Sequence, residues 1–149
     1  RRTDIKLLKA MDGSLGIALA KVSLPDVILM DINLPTINGL QVTRKIKAQL
    51  PDVKVIMITG YDDAEQVFHA LRSGASAYCP KDITPEALIS VVHSIYKGKY
   101  YVDEKTMSYD ELMSWVEMFD RSSLANTCTL CAAHIYWLTS KFWAYSFNP

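Results

Sequence analysis

The chain is poor in features that would settle its class at once. Three cysteines in 149 residues cannot staple a disulfide scaffold, so a hydrophobic core must hold the fold, and a reducing cytoplasm is the expected compartment. Six glycines and six prolines are too few for a collagenous or low-complexity chain. Neither sign of charge is in excess: 16 Lys and Arg stand against 16 Asp and Glu, which argues against a chain-wide nucleic-acid footprint. The longest stretch free of Asp, Glu, Lys and Arg covers residues 122–140. Its Asn126, His134, serines and threonines make it too polar for a membrane span. The opening Arg1-Arg2-Thr3-Asp4 is followed by no apolar segment of the secretory kind. A glycine-rich phosphate loop, a nucleophile elbow and a dinucleotide fingerprint are all missing.

What is present is globular: 50% of the residues are hydrophobic and 21% charged. The length suits one domain, or one domain with a tail. The averages hide an asymmetry. Residues 1–105 hold 14 of the basic and 12 of the acidic residues, whereas residues 106–149 hold 9 of the 15 aromatics, all three tryptophans included. The expected division is therefore 1–105 as the folded domain and 106–149 as a linker with an aromatic tail.

Within 1–105, short apolar runs alternate with amphipathic stretches. Residues 5–10 read as a strand, and Leu15, Ala18, Leu19 and Val22 recur at helical spacing. Val27-Ile28-Leu29-Met30 and Val55-Ile56-Met57-Ile58 are unbroken apolar runs, the pattern of parallel strands covered on both faces. Asn38 is a capping residue for a helix with Leu40, Thr43, Ile46 and Leu50 on its core face. Asp62 caps a second helix striped by Ala64, Val67, Phe68 and Leu71, with Gly74 as its stop. Ser76-Ala77-Tyr78-Cys79 is a short strand. Thr84-Pro85-Glu86 opens a further helix, with Leu88, Val91, Val92, Ile95 and Tyr96 inward and Lys97-Gly98 closing it. Strand and helix alternate throughout, so the expected fold class is α/β with a doubly wound parallel sheet.

In such sheets chemistry collects at the carboxyl ends of the strands. Three polar residues sit there, each after a separate apolar strand: Asp31, Thr59 and Lys81. A carboxylate, a hydroxyl and an ammonium converging at one edge form an anion-handling site. Asp31 is placed to act as a nucleophile forming an acyl phosphate, Lys81 to neutralise phosphoryl oxygens as a point charge, and Thr59 to donate a hydrogen bond to the same group. A lone strand-end Asp is more often a turn cap. Three such residues after three strands make coincidence a poor explanation.

The run Met30-Asp31-Ile32-Asn33-Leu34-Pro35 with Gly39, then Thr59-Gly60, then Tyr78 and Lys81, resembles the receiver domain of two-component response regulators over residues 5–105. The resemblance implies a flavodoxin-like fold in which Asp31 accepts a phosphoryl group from a histidine kinase or phosphotransfer protein. It implies that Asp31 and the Asn33 backbone carbonyl serve Mg²⁺, that Thr59 and Lys81 hold the phosphoryl oxygens, and that Tyr78 is an aromatic switch turning with Thr59. It also implies a possible homodimer through the family's fourth helix, fifth strand and fifth helix, here the Phe68 helix, the Tyr78 strand and the Val91 helix. Lys81-Asp82, in place of Lys-Pro, resembles the subfamily with helix-turn-helix outputs.

Two departures from that pattern stand out. The family begins with an extra strand and helix, and that strand ends in an acidic pair that binds Mg²⁺. Here the 30 residues before Asp31 read as the second strand and helix, so the domain is expected to be N-terminally truncated and its first-strand neighbour missing. Asp4 and Asp12 lie at a strand start and a turn, and Asp62-Asp63 fits a helix cap. With the acidic pair missing, Mg²⁺ binding is expected to be weak. The second departure is at the back. Residues 106–149 contain only Arg121 and Lys141 as basic residues, too few and in too short a segment for a helix-turn-helix output. DNA binding by this chain is not expected. Tyr109 to Phe119 reads as one more helix with Leu112, Trp115, Val116 and Phe119 on a face. The remaining tail is open to three readings: a partner-binding segment, an interfacial membrane contact, or non-native sequence after a frame error.

Other signals point to bland roles. Cys128, Cys131 and His134 are three ligands where structural zinc takes four. Cys79 reads as a small buried residue, His69 and His93 as solvent- or partner-facing, and Lys45 and Lys47 as a solvated helix face. The leading expectation is a non-enzymatic, phosphorylation-controlled response regulator with a transcriptional output. The alternative is a pseudo-receiver acting as an interaction module without phosphorylation. An aspartyl-phosphate hydrolase is disfavoured because the position two after Asp31, where such enzymes carry a general acid, is Asn33.

Overall fold

The computed structural model describes residues 6–60 and 64–124, with side chains through residue 119. The expected strand at 5–10, the Asp62 cap, Asp4, Asp63 and the Cys128, Cys131, His134 group fall wholly or partly outside them. The chain divides into two compact units, residues 1–112 and 113–149.

The first unit holds helix α1 (Gly13–Ser23), strand β1 (Val27–Asp31), helix α2 (Gly39–Gln49), strand β2 (Lys54–Thr59), helix α3 (Ala64–Arg72), strand β3 (Ala77–Pro80), helix α4 (Pro85–Tyr96), and strands β4 (Tyr100–Val102) and β5 (Lys105–Met107). The sheet runs β1-β2-β3-β4-β5. The first four strands are parallel, with Met30 beside Met57 and Met57 beside Tyr78. This is the α/β architecture expected from the alternation of apolar runs and amphipathic helices.

The central strands are apolar on both faces because helices cover both. Ile56, Ala77 and Cys79 point to one side and pack with Val91 and Ile95 of α4. Alternate residues point to the other: the Thr43 hydroxyl of α2 donates to the Met57 sulfur at 3.4 Å. Val55, Ile56 and Met57 have no exposed surface. The capping residues act as their chemistry predicts. The Asn38 side chain accepts from the Leu40 N–H, and the Thr84 hydroxyl accepts from the Ala87 N–H with Pro85 in the first turn. Asp12 caps α1 by accepting from Ser14 and Leu15.

Several expectations are corrected. Residues 6–10 form no strand; a strand needs a ladder partner, and among the described residues none lies beside them. The sheet is not wholly parallel, since β5 returns antiparallel to β4 through Asp103 and Glu104, both at positive φ. Left-handed central residues give a two-residue turn the twist that a hairpin requires. On α2, Val42 is buried where Leu40 and Leu50 are only partly so, and Tyr96 of α4 is 63% exposed. The expected helix from Tyr109 is longer, helix α5 (Tyr109–Leu124). Ser108 and Glu111 begin it with a reciprocal capping box: the Ser108 N–H donates to the Glu111 carboxylate, and the Glu111 N–H to the Ser108 hydroxyl. In the second unit Trp115 stacks on Phe119, ring centroids 5.8 Å apart.

Candidate functional site

Three neighbouring parallel strands end at one edge, and each delivers one polar residue there. Asp31 is the last residue of β1, Thr59 the last of β2, and Lys81 follows β3 directly. The register places Asp31 beside Ile58 and Thr59 beside Pro80. The Lys81 N–H donates to the Thr59 carbonyl at 2.7 Å, so the backbone that carries the lysine is held on the backbone that carries the threonine.

The side chains of Asp31 and Lys81 meet. Lys81 Nζ lies 2.7 Å from Asp31 Oδ2, with the two side chains 49% and 32% exposed. Asp31 Oδ1 accepts from the Asn33 N–H at 2.9 Å. One carboxylate oxygen is thus neutralised and the other oriented, while a third of the side chain still faces solvent for a reactant to approach. The ion pair is too wet to add much stability. Its significance is positional: a fixed positive charge beside a carboxylate oxygen is able to favour charge that develops on an incoming anion. Thr59 is fully buried and Tyr78 nearly so.

Gly39 sets the wall of this site. Its N–H donates to the Ile32 carbonyl at 2.9 Å, and a β-carbon on it would collide with the Asp31 carbonyl. Only glycine lets the amino end of α2 come this close to the Asp31 backbone.

The other titratable residues sit in contrasting surroundings. Cys79 is fully buried, and burial pushes its thiol up to about 11; it is an inert core residue. His69 pairs with Glu65 at 3.7 Å and His93 is exposed. Lys45 is exposed, but Lys47 is not a solvated residue. Its ammonium donates to the Pro51 carbonyl and, at 3.0 Å, to the Val53 carbonyl. Burial first, and Lys54 second, lower its pKa. A lysine spaced on the outer face by sequence reaches forward past the end of its helix to a loop, which periodicity alone does not reveal.

Receiver domains generally bind Mg²⁺ at the phosphorylation site. Here the described residues do not fit the ion. No group of three or more His, Cys, Asp or Glu side chains among them is placed to hold a metal. Asp31 already pairs with Lys81, and Asp12 is committed to capping α1. Mg²⁺ takes near-octahedral oxygen ligation, usually with one or two carboxylates.

Comparison with known proteins agrees with this geometry. The response regulator receiver domain family matches residues 1–93, and the chain belongs to that family. It is 42% identical over 94 residues to the transcriptional regulatory protein DegU of Brevibacillus brevis, an alignment covering 63% of this chain and 40% of DegU. It is 45% identical over 82 residues to the oxygen regulatory protein NreC of Staphylococcus carnosus, covering 54% of this chain and 38% of NreC. The chain therefore spans about two-fifths of the length of these curated relatives. Among solved structures, it matches a two-component response regulator of the LuxR family from Aurantimonas sp. SI85-9A1. The TM-score is 0.64 and the identity 25%, covering 68% of this chain and 74% of that one. No helix among the described residues is long and apolar enough to cross a membrane.

Proposed function

We propose that this chain is the receiver of a two-component response regulator and that Asp31 accepts a phosphoryl group from a histidine kinase or phosphotransfer protein. The supporting observation is the 2.7 Å contact between Lys81 Nζ and Asp31 Oδ2 at the carboxyl edge, with Thr59 on the adjacent strand end. In the transfer an Asp31 carboxylate oxygen attacks phosphorus. The bond from phosphorus to the donor histidine nitrogen breaks, and the imidazole keeps the electron pair. Lys81 then faces a phosphoryl group in place of a carboxylate, and Thr59 turns its hydroxyl to a phosphoryl oxygen. Tyr78 changes position with Thr59 and alters the surface made by α3, β3 and α4, the switch and the homodimer face of this reading. The output is transcriptional, as the relatives' names suggest, and is carried outside residues 1–105, which form the receiver. Residues 106–149 serve as linker and tail.

The test is incubation with acetyl phosphate in Mg²⁺ buffer followed by borohydride trapping and peptide mass analysis. Borohydride reduces the acyl phosphate and releases inorganic phosphate, so homoserine in place of Asp31 is expected in that peptide, and no such reduction in Asp31→Asn. Reduction that persists in Asp31→Asn would overturn the assignment.

One observation favours a second reading, a receiver fold used as an interaction module without phosphorylation: the described residues offer Asp31 as the only carboxylate at the strand-end edge assigned to the ion, and no metal-holding group. No adduct on Asp31, together with self-association or partner binding unchanged by Asp31→Ala, would select it.

A further inference from the structure

Arg44 and Lys47 of α2 reach to different places, Arg44 to the far end of α3 and Lys47 to the loop ahead of β2. Arg44 Nε donates to the Ser73 hydroxyl at 3.2 Å, and that hydroxyl donates to the His69 carbonyl at 2.8 Å. Ser73 is 3% exposed and Arg44 is exposed, so the contact is part-buried, with the hydroxyl on its inner side. Beside it, Gly74 turns the chain at φ +96, and a β-carbon there would lie 2.8 Å from Lys47 Cγ. The lysine stem therefore lies directly on the turn, while its ammonium holds the Pro51 and Val53 carbonyls ahead of β2. Two residues on one turn of α2 thus tie it to the end of α3 and to the entry of β2.

The other end of α2 is fixed to the site. Gly39 donates to the Ile32 carbonyl and leaves no room between the helix and the Asp31 backbone. An eleven-residue helix is stiff over its length of roughly 16 Å, so a displacement of the Asp31 loop tilts α2 as a body. Beyond Gly74 the chain enters β3, which leads to Tyr78 and Lys81, and Lys81 is paired with Asp31. The contacts close a ring: Asp31, α2, the α3–β3 turn, β3, Lys81 and Asp31 again.

We propose that Arg44, Ser73 and Lys47 form a clasp through which the state of Asp31 is transmitted along α2 to the α3–β3 turn. The clasp residues are positioning residues, and the inference rests on Asp31 being the phosphoacceptor. Coupling of this kind is reciprocal: a clasp that feels Asp31 also biases it.

The test is hydrogen exchange of the whole chain with and without acetyl phosphate in Mg²⁺ buffer. It is read at the Ser73, Gly74 and Ala75 amides, which close the end of α3 on the His69, Ala70 and Leu71 carbonyls. The variants are Arg44→Met and Ser73→Ala, with the Val55–Met57 amides as the control for an intact fold. Phosphorylation is expected to change exchange at 73–75 by roughly five-fold, the effect of one side-chain hydrogen bond. Both variants should abolish that change while the Asp31 adduct still forms. An adduct on Asp31 with no change at 73–75, or a change that survives both variants, overturns the clasp alone. No adduct at all overturns the phosphoacceptor reading and the clasp with it.

Discussion

The centre of the sheet and the segment ahead of it contain similar residues and meet opposite fates. Val55, Ile56 and Met57 in β2 are fully enclosed, whereas Leu7 is 84% and Val22 86% exposed, with Met11, Leu15, Leu24 and Leu29 also open. The difference is not hydrophobicity but neighbours. β2 has a strand on each side and helices on both faces, while among the described residues β1 is an edge strand. An apolar side chain contributes to stability only through the surface it removes from water, so the same residue type counts fully in one region and little in the other.

That contrast can be broken or sharpened by substitution. Ile56→Ala should cost about 4 kcal/mol, because a fully enclosed branched side chain leaves a cavity that its rigid surroundings cannot fill. Gly39→Ala should cost about 3 kcal/mol despite adding only a methyl group, since the atom it meets is the Asp31 carbonyl and not a flexible side chain. Val22→Ala should stay within about 0.5 kcal/mol. Urea unfolding gives all three values, and a Val22→Ala loss approaching that of Ile56→Ala would erase the distinction between the regions.

A pH prediction lies between these in size. The Cys79 thiol is harder to ionise folded than unfolded, rising from 9.0 to about 11. Its proton is retained more firmly by the folded state, so its contribution is whole below about pH 9 and is lost as pH climbs through about 11. The loss amounts to about 2–3 kcal/mol. Cys79→Ala should remove that part of the alkaline decline, measured by urea unfolding across the same range. A decline of unchanged steepness would show that the thiol is not its source.

Much of the carboxyl edge was legible in the sequence because strand ends are marked there by abrupt changes of residue type. Asp31, Thr59 and Lys81 each close an apolar run, and parallel strands carry such ends to one side. The caps Asn38 and Thr84 were legible for the same local reason. The hairpin of β4 and β5 was not. Three-residue strands are too short to show alternation, and Asp103-Glu104 lacks the glycine or asparagine that marks a tight turn. The clasp of Lys47 and Arg44 was also hidden, because a long side chain can leave the face on which its α-carbon sits. The strand expected over 5–10 failed for the opposite reason: its local pattern was adequate, but a strand exists only with a partner.

The hairpin gives the sheet two unlike sides. β4 occupies the backbone of β3 through the Tyr101 N–H and the Ser76 carbonyl, and the outermost strand then presents Lys105 and Thr106 to solvent. A short strand with a charged residue is a poor template for further pairing. Among the described strands, β5 is therefore a poorer template for backbone pairing with another chain than β1.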